Sequence, residues 1–190
     1  LVARTILDRA RREARRIFVG KMSGGHTCGQ DEINKILLEQ AQLGQKVIRL
    51  KGGDPFIFGR GGEERSFLVS HGITVDVVPG ITAALGCGAA TGIPMTHRNV
   101  TQAVTFITGH GEKETDLDWD SLARIQHSLV IYMGVASGGT IAERLMAHGM
   151  CEETPVGIVE NGTLPNQKFV KGKLRNLSEL IEKKEISAPA

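Results

Sequence analysis

Apolar positions along the chain switch between helical and extended spacing. Ile33, Ile36, Leu37 and Ala41 recur at helical intervals. They predict an amphipathic helix from an N-cap at Asp31 to about Leu43, with Gly44 as its left-handed exit. Further helices are expected over residues 3–16 (short and very polar), 63–70 (closed by Gly72), 81–90 (made of small residues), 140–148 (ended by Gly149) and 176–184. Short apolar or β-branched runs predict strands at 17–19, 46–50, 74–78, 102–108, 128–133, 155–159 and 167–170, the last read as antiparallel. Pro79-Gly80 stops the third of these. Strands alternating with helices indicate an α/β fold. The pattern resets near residues 94–101. Two α/β subdomains with mostly parallel sheets follow, 1–97 and 98–190, with a ligand cleft expected between them.

Composition narrows the classes. The chain has 190 residues, enough for a real core. Its 41% hydrophobic and 23% charged residues are ordinary for a soluble globular protein. Aromatic residues, at 4%, are too sparse for a protein built to stack on single-stranded nucleic acid. The net charge of +2 gives no global basic field. Arg4, Arg9, Arg11, Arg12, Arg15, Arg16 and Lys21 crowd the amino-terminal segment, opposed by Asp8 and Glu13, and read as a solvated helix face. Cys28, Cys87 and Cys151 are scattered, which suits a reducing cytoplasm and provides neither a disulfide framework nor a metal set. No apolar run approaches the roughly 18 residues of a membrane span, and no signal peptide is visible. The expected location is cytoplasmic, with neither nucleic acid nor membrane as partner. The chain starts without Met inside a predicted helix and stops at Ser187-Ala188-Pro189-Ala190, so both ends are expected to be truncated.

The most informative segment is Lys51 to Glu64, KGGDPFIFGRGGEE. Glycines after a strand let the backbone approach a ligand, and in parallel sheets the carboxyl ends of strands are where ligands bind. Asp54 can accept hydrogen bonds from an ammonium or a ribose hydroxyl. Ile57 offers an apolar wall, and Arg60 is a fixed cation suited to a carboxylate. The spacing fits neither GxxxxGK[ST] nor GxGxxG. On composition, a ligand loop competes with an ordinary long turn.

This string resembles the signature of uroporphyrinogen-III C-methyltransferases, within the tetrapyrrole methylase superfamily. Val19-Gly20-Lys21 with Gly24-Gly25-His26, Val77 to Ala83 (VVPGITA), Gly92 to Arg98 (GIPMTHR), Thr108-Gly109-His110, Leu117-Asp118-Trp119, Tyr132-Met133-Gly134 and Val159 to Thr163 (VENGT) are similar to further family segments, in the same order. The resemblance implies the tetrapyrrole methylase fold and S-adenosylmethionine as methyl donor, with S-adenosylhomocysteine as product. It implies donor contacts at Gly52, Gly53, Asp54, Ile57, Thr82, Ala83, Met133 and Gly162. From the residues alone, Met133 reads as packing at a strand end and Asn161-Gly162 as a turn. Lys21 matches the family's proposed proton donor and is, with Arg60, a candidate catalytic residue.

The implied substrate, uroporphyrinogen III, is a polyanion, which calls for guanidinium groups. Arg60 and Arg98 are the candidates, with Glu63 for a pyrrole N–H and His97 and His110 as further contacts. No metal is needed. The implied reaction is two successive methyl transfers giving precorrin-2, on the route to siroheme or cobalamin, in a homodimer. The resemblance also implies that a GxGPGD loop and the Asp of a YDRLV segment lie before Leu1. The competing readings are a related methylase acting on another precorrin, a diphthine precursor or ribosomal RNA; a non-catalytic remnant; and an RNA-binding module.

Overall fold

The computed structural model describes residues 2–20, 28–109 and 117–190. They fall into two compact units, Leu1–Ile81 and Thr82–Ala190. The first unit contains α1 (Arg4–Leu7), α2 (Gln30–Gln42) and α3 (Gly61–Ser70). The expected helix over 3–16 is confined to α1, which buries none of its residues. Its continuation would stack Arg11 on Arg15 and Arg12 on Arg16, four residues apart, and like charges at that spacing weaken a helix with no apolar face to dock. In α2 the N-cap is Gly29, not Asp31; Asp31 and Glu32 lie in the first turn, where carboxylates meet the positive end of the helix dipole. Gly44 and Gly72 do provide left-handed exits, with φ of 75° and 77°. The core of this unit joins Ile33 and Leu37 of α2 to Leu68 of α3, flanked by Val19, Phe67 and Val75.

The strands expected at 17–19, 46–50 and 74–78 are not strands among the described residues. Their apolar content is real, and Val19 and Val75 pack on the helices. A strand also requires a ladder partner, and the two ladders of the described residues both lie in the second unit. Ile48 and Val78 accordingly stand 80% and 82% exposed.

The second unit opens with α4 (Ala83–Thr91), which leaves through Gly92 at φ 71°. The sequence pattern put the division after residue 97, whereas the compact units divide between Ile81 and Thr82. A long-range tie accounts for it: Thr82 and Ala84 both hydrogen-bond the hydroxyl of Tyr132, deep in the second unit's sequence. Next come β1 (Val104–Thr108), α5 (Trp119–Arg124) and β2 (Ser128–Tyr132). β1 and β2 pair in parallel, from Val104 opposite Ser128 to Thr108 opposite Tyr132. The crossover α5 has only six residues, too few to show periodicity; Asp118 caps it by accepting from the Ser121 N–H at 3.0 Å.

After α6 (Gly138–Ala147), β3 (Pro155–Glu160) and β4 (Lys168–Lys173) form the expected antiparallel pair, and a 3-10 turn at Leu174–Asn176 leads into α7 (Leu177–Lys183). The core gathers Ile107, Leu122, Ile141, Ala142, Leu145, Leu174 and Leu177. The arrangement is α/β, as the pattern indicated. Among the described residues no helix is long and apolar enough to cross a membrane.

Leu145 is 1% exposed and sits at the centre of this core. Leu145→Ala is expected to cost about 2–5 kcal/mol, the range for a buried leucine that leaves a cavity. Urea denaturation, read as a lower midpoint at unchanged slope, checks this.

Candidate functional site

In the first unit the loop from Lys51 to Arg60 is organised by a carboxylate. Asp54 Oδ1 accepts from the Phe56 N–H at 2.9 Å and the Ile57 N–H at 3.2 Å, and Oδ2 accepts from the Gly80 N–H at 3.1 Å. The Gly80 and Phe56 amides hold the Asp54 carboxyl below the usual carboxylate range. One side chain thus folds the loop and ties it to the segment around Pro79. The glycines are needed for closeness. A Cβ at Gly59 would come 2.7 Å from the Pro55 carbonyl oxygen, and one at Gly80 would come 2.7 Å from that of Gly53. Phe56, Ile57 and Phe58 are exposed apolar groups on the same loop.

Arg60 has left-handed backbone, φ 55°, just before α3. Its guanidinium meets Glu63 through Nη2 at 2.6 Å, both side chains being about half exposed. That bond holds the Glu63 carboxyl below its ordinary value.

Sequence reasoning missed Glu64, the next residue. Its carboxylate is buried and receives Lys51 Nζ at 3.2 Å, Arg49 Nε at 3.2 Å and Gln30 Nε2 at 3.2 Å. The signal was present in two basic residues, Arg49 and Lys51, just before the loop and an acidic pair just after it. The pairing anchors both feet of the loop to α2 and α3.

In the second unit the candidate donor residues gather around α4. Thr82, at its N-cap, shares a hydrogen bond of 2.6 Å with the Tyr132 hydroxyl. Met133, the next residue after Tyr132, leaves β2 at φ 56° and is 48% exposed. Packing at a strand end therefore does not describe Met133. Gly162 approaches the same helix: a Cβ there would collide with the sulfur of Cys87. Asn161 and Thr163 flank it at φ 50° and 67°. Gly109, after β1, sits against Gly134, and its N–H donates to the Tyr132 carbonyl at 2.7 Å.

The loop carrying Gly162 is held from below by Glu160, buried at the end of β3. Its carboxylate accepts from the Ser187 N–H at 3.1 Å and the Ser187 hydroxyl at 3.1 Å. The Ser187 amide is the main cause holding the Glu160 carboxyl below its usual range.

Not all candidates are brought together. Arg98 lines an open groove of about 400 Å³ with Gln102, Ala103, Gln126 and His127, at the amino ends of β1 and β2. Met133 and Gly109 lie past the carboxyl ends of those strands. His97 forms a bridge with Thr101, its N–H donating to the Thr101 carbonyl at 2.8 Å. Lys21 and His110 lie outside the described residues.

Of six non-glycine residues with positive φ among the described residues, five (Phe58, Arg60, Met133, Asn161 and Thr163) lie in these loops. Such conformations cost about 1–3 kcal/mol each and persist where the surroundings over-determine them, which is typical of ligand sites. Three of the loops follow the carboxyl ends of β1, β2 and β3. The class defined is an α/β protein whose strained loops in the second unit lie beyond the carboxyl ends of β2 and β3, the end of parallel strands where ligands bind in such folds.

A family model described as Tetrapyrrole (Corrin/Porphyrin) Methylases matches residues 2–178. The chain belongs to the tetrapyrrole methylase family. Siroheme synthase 2 of Yersinia enterocolitica is 53% identical over 190 residues, which is 100% of this chain and 40% of that protein. Siroheme synthase 1 of Aeromonas salmonicida is 55% identical over 181 residues, 95% of this chain and 39% of that protein. The chain therefore spans about 40% of the length of these relatives. Among solved structures, uroporphyrin-III C-methyl transferase from Thermus thermophilus complexed with S-adenyl homocysteine is 36% identical, with a TM-score of 0.71 over 85% of this chain and 69% of that one. A cobalt precorrin-4 methyltransferase, 23% identical, shares the fold, with a TM-score of 0.82 over 98% of this chain and 76% of that one.

Two predictions follow from the carboxylates. Asp54→Asn keeps an acceptor for Phe56 and Ile57 but replaces the Gly80 acceptor with an amide, so hydrogen exchange should accelerate at the Gly80 N–H selectively. In the unsubstituted protein the folded carboxyl titrates below the unfolded value of about 3.9. Its contribution is thus complete above that pH and lost only as pH falls through the lower folded value. Glu64→Ala leaves Arg49 and Lys51 without their carboxylate and should destabilise by roughly 3 kcal/mol, the low end for breaking a buried pair, because Arg49 stays partly exposed. Chemical denaturation checks the size.

Proposed function

We propose that this chain performs S-adenosylmethionine-dependent C-methylation of uroporphyrinogen III, in two successive transfers giving precorrin-2. The observation that carries the reading is the convergence on α4 of Thr82 at its N-cap, Gly162 against Cys87, and Tyr132, whose successor Met133 has left-handed backbone. The Thermus structure, 36% identical and complexed with S-adenyl homocysteine, supports the donor.

The residues present suit such a donor. Ile57 and Met133 offer exposed apolar surface, and Asp54 is held anionic, which favours a nearby cation. In the second unit Thr82, Ala83, Met133 and Gly162 would hold it; Gly52, Gly53, Asp54 and Ile57 are the first unit's candidates, from the sequence resemblance. When bound, S-adenosylmethionine supplies an electrophilic methyl group carried on a sulfonium. Asp54 already satisfies three backbone amides, so its part is mainly to fix the loop, with spare acceptor capacity on Oδ2.

The protein's main contribution is orientation of the reacting partners, worth roughly 7–11 kcal/mol of barrier at best. Arg60 would grip a carboxylate arm. Its pairing with Glu63 is an exposed ion pair of the kind worth about 0–1 kcal/mol, so giving up that pair costs little. Glu63 is then free to accept from a pyrrole N–H. Lys21 would serve as proton donor, and general acid–base assistance of this kind typically adds about 10²–10⁴-fold. His110 would be a further contact for the polyanion; Arg98, at the amino ends of β1 and β2, lies at the other end of those strands from Met133 and takes no part in this reading.

Full-length protein incubated with S-adenosylmethionine and uroporphyrinogen III should yield precorrin-2, followed by absorbance and mass. Binding of S-adenosylhomocysteine without any methyl transfer to this tetrapyrrole would remove the substrate assignment. Arg60→Ala should raise KM for the tetrapyrrole roughly 10- to 100-fold, the equivalent of one charge-assisted hydrogen bond, and leave donor affinity within about twofold. Equal loss of both would make Arg60 a structural residue.

A further inference from the structure

We infer that the Tyr132 hydroxyl is a positioning group for the methyl donor, acting through Thr82 and the amino end of α4; this rests on the donor reading above. The hydroxyl touches two points of the Thr82–Ala84 segment at once. It lies 2.6 Å from Thr82 Oγ1 and accepts from the Ala84 N–H at 3.0 Å. The first N–H groups of a helix have no partner within it. Thr82 makes no side-chain cap bond to its own helix, so the phenol oxygen, 48 residues on from Ala84, does the capping.

The phenol is itself fixed from several sides. The Tyr132 carbonyl accepts from the Gly109 N–H at 2.7 Å. Phe106 meets the ring edge-on, with centroids 6.0 Å apart and planes at 76°. The chain then turns into the left-handed backbone of Met133. Two donor contacts of the second unit, Thr82-Ala83 and Met133, are thereby fixed by a single residue that is not itself one of them. The 2.6 Å bond also commits one side of the buried Thr82 hydroxyl, so its remaining hydrogen-bonding direction is defined. Fixed donors of this kind need no reorganisation when the ligand arrives.

Tyr132→Phe removes the hydroxyl and keeps the ring. The test uses full-length protein, calorimetry with S-adenosylhomocysteine, and steady-state kinetics in both substrates. Tyr132→Phe should weaken S-adenosylhomocysteine about tenfold and raise KM for S-adenosylmethionine similarly, with KM for the tetrapyrrole within about twofold. Because part of the effect passes through Thr82, the double variant Tyr132→Phe/Thr82→Val should lose less affinity than the two single losses combined. Unchanged S-adenosylhomocysteine affinity in Tyr132→Phe overturns the inference and leaves the donor reading intact. Parallel loss toward both substrates, or fully additive losses in the double variant, overturns it in favour of a general packing role. No S-adenosylhomocysteine binding by the unsubstituted protein removes the donor reading itself, and the inference with it.

Discussion

A backbone N–H or C=O that leaves helix or sheet must find another partner or remain in water. That constraint shapes the loops around Asp54, Tyr132 and Glu160. Asp54 serves Phe56, Ile57 and Gly80; Tyr132 serves Ala84; Glu160 serves Ser187. In each case a polar side chain from one segment satisfies the main chain of another, so the segments are joined at defined atoms. Loops fixed in this way can hold residues such as Met133 and Asn161 in left-handed backbone, which a freely hydrated loop would release.

The two units use different versions of the device. In the first, charge dominates: Glu64 is buried among Arg49, Lys51 and Gln30, and the ionised Asp54 closes the loop above it. In the second, neutral groups do the work: a phenol, a threonine hydroxyl and glycines pressed against α4 and the Tyr132-Gly134 turn. The first arrangement leaves the Arg60–Glu63 ion pair exposed at the start of α3. The second leaves an apolar thioether and a small-residue helix, suited to a ligand of mixed polarity.

Much of this was legible in the sequence where the physics is local. Gly44, Gly72 and Gly149 mark left-handed helix exits because only the residue's own φ matters there. The apolar stripe of α2 identified its buried face, Ile33 and Leu37. The segment at 46–50 was read as a strand from composition, but a ladder depends on a neighbour that composition does not reveal. The compact units divide between Ile81 and Thr82 rather than after residue 97, with α4 tied to Tyr132 across 48 residues. The site divides likewise. Loop identities such as Gly52-Gly53-Asp54 could be read from the string. The partners that hold them could not: Glu64 pairs with Gln30 across 34 residues, and Gly80 with Asp54 across 26.

The close approach of Gly162 to Cys87 has a chemical consequence. Burial raises the Cys87 thiol above its ordinary pKa, so little of the nucleophilic thiolate is present at neutral pH. The loop that carries Gly162 shields that sulfur directly. Displacement of that loop would expose the half-buried sulfur further and speed its alkylation. The rate of that modification, set against the exposed Cys151 as an internal standard, is therefore a clock for loop opening, already built into the chain without an added probe.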